Sequence, residues 1–247
     1  MTASGSIVLI LVALSLAPLE CLSLEDLTAS QARASALPSD SRMPVYQPPK
    51  DKVPHARIDS GLRGQAENDL RVVALVPDHV GFTTKKDPTL YWYVSQSTSL
   101  PIQFTLTDPR SIRSIAEMEL PPPSNAGIQP VRLRDYGIAL DPGIQYRWSV
   151  SIVRDRDRPS NDLVAGGMIE RIEFNEASAL GVPLACNKDA VFRYAEAGLW
   201  YDAIGCISDL IQSNSSDALL KKQRAFLLKQ INLPLIADFE LRHNGTP

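Results

Sequence analysis

Ile144-Gln145-Tyr146-Arg147-Trp148-Ser149-Val150-Ser151-Ile152 decides the fold. Ile144, Tyr146, Trp148, Val150 and Ile152 recur at every second position, with Gln145, Arg147, Ser149 and Ser151 between them. An apolar period of two puts one set of side chains inside and the other outside, as in a half-buried strand. Asp141-Pro142-Gly143 before it is a turn. The same pattern extends upstream. Ile102, Phe104 and Leu106 alternate with Gln103, Thr105 and Thr107. Leu90, Trp92 and Val94 share one face, with Tyr91 and Tyr93 on the other. Gln96-Ser97-Thr98-Ser99 turns the chain between these two strands. Arg71 to Val76 opens the series, and Ile112 to Leu120 is a weaker strand ended by Pro121-Pro122-Pro123. Val131 and Leu133 alternate with Arg132 and Arg134, and Val164 to Phe174 is the last strand. About seven short strands between 70 and 174, with no helical pattern among them, predict an immunoglobulin-like antiparallel β-sandwich rather than a βαβ sheet. Trp92 or Trp148 would be its central aromatic. No cysteine lies between 22 and 185, so packing alone must hold the two sheets together.

The period changes after Pro183. Val191, Tyr194, Ala195 and Leu199 fall on one helical face. Trp200, Ala203, Ile204, Ile207, Leu210 and Ile211 form a second stripe. Gly198 is a helix-ending turn between them. Ala218 to Ile231 reads as a third helix, N-capped at Ser216-Asp217. The fold class is therefore mainly β with α: the sandwich, then a C-terminal helical hairpin plus a third helix over 175–236. Residues 237–247 are expected to be a disordered terminus. Tyr194, Gly198, Trp200, Ala203, Ile207 and Leu210 are spaced as in the later half of a tetratricopeptide repeat, which this hairpin resembles. A single such unit cannot bury its own face. The hairpin is expected to pack on the sandwich, with capping of a partner's helical array as the alternative.

The first residues differ from the rest. Ile7 to Ala17 is an apolar run of signal-peptide length, followed by small residues suited to cleavage after Ala17 or Ser23. No Lys or Arg precedes it. Residues 1–23 are assigned as a signal peptide, which implies an exported, periplasmic or extracellular protein. Residues 24–69 carry Pro38, Pro44, Pro48, Pro49 and Pro54 among polar residues. They read as a proline-rich linker, either a poorly ordered terminus or a tether.

The strings Leu75-Val76-Pro77 and Pro88-Thr89-Leu90-Tyr91-Trp92-Tyr93-Val94 carry a family resemblance. So do Gly143-Ile144-Gln145-Tyr146-Arg147-Trp148-Ser149, Arg158-Pro159-Ser160 and Gly167-Met168-Ile169-Glu170-Arg171. Over about residues 70 to 235 the chain resembles the mostly cyanobacterial exported family catalogued as domain of unknown function 928. A tryptophan is expected where Met168 stands. The resemblance implies domain limits and export, and no activity.

The 247 residues are 44% hydrophobic and 21% charged, with a net charge of −3. That composition is globular, and the charge gives no bulk attraction to nucleic acid. No apolar run reaches the length of a transmembrane span. Three cysteines and three histidines do not make a zinc cluster at recognisable spacing, and no metal or cofactor is expected. If the leader is cut after Ser23, Cys21 leaves with it, and Cys186 and Cys206 remain as a candidate disulfide. No Gly-x-Ser-x-Gly elbow, phosphate loop or His-Glu-x-x-His helix occurs. His55, His79 and His243 are read as exposed. The alternating run Arg154-Asp155-Arg156-Asp157-Arg158 is read as a solvated hairpin tip. Asn214-Ser215-Ser216 and Asn244-Gly245-Thr246 are chance matches to the glycosylation sequon.

Two readings of function follow. The first is an exported, non-catalytic protein-interaction or envelope-architecture module. The second is a carbohydrate- or peptide-binding accessory protein that uses Tyr91, Tyr93 and Arg147 on one sheet face. The partner would be an unidentified protein or glycan of the cell envelope. The competing reading of the tyrosine face is that the helical hairpin covers it.

Overall fold

The structure, a computed structural model, describes residues 42–49, 57–59, 70–111, 114–173, 175, 179–183 and 185–242. The signal peptide, Cys21, His55, His243 and the second sequon lie outside the described residues. Nine strands are present among them: β1 (Ile58–Asp59), β2 (Val72–Ala74), β3 (Gly81–Thr83), β4 (Thr89–Val94), β5 (Ile102–Thr107), β6 (Ser114–Leu120), β7 (Gly127–Arg132), β8 (Gln145–Ile152) and β9 (Leu163–Arg171).

The run that opened the sequence reading, β8, sits inside the larger sheet. It pairs antiparallel with β5, Trp148 opposite Leu106, and with β9, Trp148 opposite Gly167. The order of that sheet is β1-β9-β8-β5-β6. The smaller sheet is β2-β4-β7, with Ala74 opposite Trp92 and Leu90 opposite Val131. Tyr146, Trp148, Val150 and Ile152 are all buried, as are Phe104, Leu106, Leu90 and Val94. The alternation is thus the two inner faces of a sandwich sharing one core. Gly167 shows how tightly the layers meet: a Cβ there would lie 2.6 Å from the Val76 Cγ2.

Two strand expectations are corrected. The sandwich is not wholly antiparallel, because β3 joins the edge of β9 in parallel, Gly81 opposite Ile169. This three-residue strand is too short for any alternation to show. Leu133 and Arg134 do not continue β7. They begin a 3-10 turn, Leu133–Tyr136, closed by Gly137 at φ +68 with its N–H on the Arg134 carbonyl. Leu133 is buried in either geometry, so its position in the pattern could not separate them.

Four helices follow: α1 (Lys188–Glu196), α2 (Trp200–Ser213), α3 (Ala218–Gln230) and α4 (Pro234–Arg242). The Asn187 side chain accepts from the Ala190 N–H at 2.8 Å, and Asp217 caps α3 by accepting from Leu219 and Leu220. Residues 237–242, expected to be disordered, belong instead to α4. Its Ile236, Ala237 and Glu240 are buried against the other helices. Leu233-Pro234 interrupts the period there and hid the helix.

The start of α2 fastens the helices to the sandwich through three consecutive side chains. The Trp200 indole N–H donates to the Leu75 carbonyl at 2.8 Å. The Tyr201 hydroxyl accepts from the Trp148 indole at 2.9 Å and donates to the Met168 carbonyl. The Asp202 carboxylate accepts from the Thr84 N–H and hydroxyl, both at 2.8 Å. Burial pushes the Asp202 carboxyl above the usual carboxylate range, and the Thr84 bonds act against that.

Cys186 and Cys206 form a disulfide, with Cα atoms 5.4 Å apart, joining the lead-in of α1 to the middle of α2. The bridge spans 20 residues. Replacing both cysteines with serine is expected to cost about 3 kcal/mol in the chain-entropy account. For a chain of this size that is a fall in Tm of about 6–12 °C. Oxidised and reduced chains melting within about one degree of each other would contradict it.

Candidate functional site

The predicted face does not assemble. Arg147 lies on β8 in the larger sheet, whereas Tyr91 and Tyr93 lie on β4 in the smaller one, between β2 and β7. The tyrosines do share a face, and the helices cover it. Tyr91 is buried beside Ser208 and Asp209 of α2, and burial pushes its hydroxyl up to about 12. Tyr93 packs edge-on against Phe239 of α4, ring centroids 5.1 Å apart. Burial raises its hydroxyl too, against the pull of Arg242 and Arg71. With these two arginines and Phe239 it lines a cleft of about 460 Å³ between β2 and α4. The alternating charges from Arg154 to Arg158 do fall at the tip between β8 and β9.

The proline-rich segment and His79 are the other corrections. Residues 42–49 are not a free linker but an arm laid on the helices. The Gln223 amide donates to the Arg42 carbonyl, and the Gln230 amide donates to the Pro44 carbonyl, both at 2.9 Å. The Gln230 carbonyl oxygen accepts from the Tyr46 N–H at 2.8 Å, and the Gln47 N–H donates to the Ala195 carbonyl. Arg42 stacks over the Phe192 ring at 4.8 Å. Gly198 admits the arm, for at φ +75 it turns the chain and a Cβ there would lie 2.8 Å from the Gln47 carbonyl. Further along, Ile58 and Asp59 pair with β9. His79 is only 8% exposed because the Tyr46 ring stacks on it, centroids 5.9 Å apart. Its Nδ1–H donates to the Val80 carbonyl, so Nε2 accepts from the Tyr46 hydroxyl at 3.3 Å. Tyr46 also meets Trp200 edge-on at 5.1 Å.

A pocket of about 270 Å³ lies where the end of β6 approaches β7 and the 3-10 turn. Trp92, Pro121, Gln129, Arg132, Asp135 and Tyr136 line it. Gly137 ends the turn so that Asp135 and Tyr136 stay at the rim, with Tyr136 42% exposed. Trp92 is the most buried residue of the lining, at 2%, and its indole N–H has no acceptor among the described residues. An unmade hydrogen bond of this kind costs about 1–3 kcal/mol. Alternation along the strand places Trp92 in the core and gives no sign of Tyr136, which lies in a turn. The available signal was an aromatic beside Asp135 in a Gly-ended turn.

Among the described residues no group of three or more His, Cys, Asp or Glu is placed to hold a metal ion. No helix among them is long and apolar enough to cross a membrane.

A family model described as a domain of unknown function (DUF928) matches residues 58–241. No curated protein matches the chain. Among solved structures, a multi-domain immunophilin from Arabidopsis thaliana is similar at 10% identity, over 71% of this chain and 93% of that one. The TM-score is 0.17, too low to support a shared fold.

Proposed function

The chain belongs to the family of domain of unknown function 928, and we propose that it is an exported, non-catalytic module that binds a protein of the cell envelope through its helical tail. Export is supported by the leader-like run Ile7 to Ala17 and by the Cys186–Cys206 bridge. Disulfides persist in oxidising compartments.

The observation that carries the interaction reading is where large apolar side chains are left in water. Val45 on the arm is 53% exposed, Phe226 on α3 is 39% exposed and Leu235 on α4 is 57% exposed. Among the described residues, three of the six exposed large hydrophobics thus sit on the arm and the two helices that follow the hairpin. The arm itself shows how an extended, proline-flanked segment is held on these helices, through Gln223 and Gln230 reading main-chain groups. Side-chain amides that bond the backbone set the register with little demand on sequence.

The test is capture from envelope extract by the full chain and by Val45→Ser/Phe226→Ser. Both side chains are exposed, so the variant should melt within about 2 °C of the parent. The reading expects a partner retained by the parent and reduced about tenfold or more by the variant, as when apolar anchors leave an interface. Equal capture by both, or none above background, would reject it.

A further inference from the structure

We infer that the pocket between Trp92 and Tyr136 is a binding site for a single sugar ring of a glycan. This is independent of the helical tail, which lies on the far face of the smaller sheet. Strand parity places the site. Leu90, Trp92 and Val94 point into the sandwich, and Gln129 stands directly opposite Trp92 on β7. The sandwich opens here, because β6 and β7 each end their own sheet. Pro121 after β6 and Pro130 within β7 have no N–H, so this rim offers little to a pairing strand. What it offers instead is side chains.

Their chemistry selects the ligand. Trp92 and Tyr136 supply aromatic surface, against which the C–H face of a pyranose packs. Asp135 is a carboxylate at the rim and can only accept. The Trp92 indole can only donate. Gln129, opposite Trp92, is held in place by the bond from its amide to the Asn125 carbonyl. Vicinal hydroxyls both donate and accept, so a sugar can satisfy both kinds of group at once. A proline-rich peptide presents carbonyl acceptors and few N–H donors, and would leave Asp135 unanswered. The volume of about 270 Å³ lies just below the usual range of ligand pockets, roughly 300–1,000 Å³. It has room for one ring and the bonds leaving it.

Trp92 provides the second line of support. A buried donor without an acceptor is uncommon in a folded protein and calls for a missing partner. Here the orphan belongs to the most buried residue of a pocket that also presents Gln129 and Asp135. A hydroxyl entering over Tyr136 would supply that acceptor.

The experiment is a tryptophan-fluorescence and calorimetric titration of the full chain. The probes are tetrasaccharides built from glucose, galactose or N-acetylglucosamine, with a proline-rich decapeptide beside them. Tyr136→Ala and Asp135→Asn alter exposed side chains and leave the core in place. Trp92→Phe keeps an aromatic ring and removes the N–H; its melting curve is recorded with its affinity. The inference expects at least one sugar to bind. It expects Tyr136→Ala and Asp135→Asn each to weaken that sugar about tenfold at unchanged Tm. Three results would overturn it: no sugar binding at about 10 mM, sugar binding indifferent to both rim variants, or binding of the decapeptide alone.

Discussion

Trp200→Ala is expected to destabilise the chain by about 3–5 kcal/mol, the range for removing a large buried aromatic. Trp200 is fully buried, and its indole N–H reaches the Leu75 carbonyl just beyond β2. The substitution opens a cavity at the junction of sandwich and helices and leaves that carbonyl without its donor. It also removes the ring against which Tyr46 of the arm packs. Trp200→Phe fills most of the space and loses the hydrogen bond, so it should cost less, about 1–3 kcal/mol. Urea unfolding of the pair separates cavity from hydrogen bond. A loss below about 1 kcal/mol for Trp200→Ala would mean that the helices are not fastened here.

Glu240→Ala should be nearly as severe, at about 3–5 kcal/mol. The Arg224 guanidinium on α3 donates to the Glu240 carboxylate of α4 at 2.6 Å and to the Ser208 hydroxyl of α2 at 3.1 Å. Both charged residues are buried. Removing the carboxylate strands a buried cation with one hydroxyl for company. The pair need not be strongly stabilising for this to hold, because removing two charges from water offsets much of their attraction. Arg224→Met/Glu240→Leu is therefore expected to lie within about 1 kcal/mol of the parent or above it. The double-mutant cycle should show a large coupling between the two positions. Additive single effects would contradict the pairing and, with it, the placement of α4.

The contrast between these two contacts shows what the residues disclose in advance. The sandwich was legible because an apolar period of two persists through β5 and β8, where every other side chain is buried, and through β4, where only Tyr91, covered by α2, adds to the buried set. The hairpin was legible for the same reason at a longer period, with Gly198 and Asp217 marking a stop and a start. The Cys186–Cys206 bridge was legible as a candidate, because these two cysteines remain once Cys21 leaves with the leader and they lie close to consecutive helices. Elements with only a few residues in register left no such trace. The parallel pairing of β3 and the arm at Tyr46 depend on partners far away in the chain, while the 3-10 turn at Leu133 is a four-residue turn closed by Gly137. The arm is the clearest case. Its prolines suggested a poorly ordered terminus or a tether, yet Gln223 and Gln230 make it part of the helical layer through main-chain groups that every residue carries. Tyr91 and Tyr93 failed as a site for a related reason. Alternation shows that two faces exist, not which element lies over the second. Tyr136 was missed because a turn has no period, so exposure there is set by Gly137 and the neighbouring strands.

Export joins the leader, the bridge and the proposed envelope partner, and one measurement reaches it directly. The intact mass of the chain isolated from its native cells reports the mature N-terminus and the state of its cysteines together. The account predicts a chain that begins after Ala17 or Ser23, with Cys186 and Cys206 two hydrogens lighter than the dithiol. A chain that still begins at Met1 and carries both thiols free would contradict it.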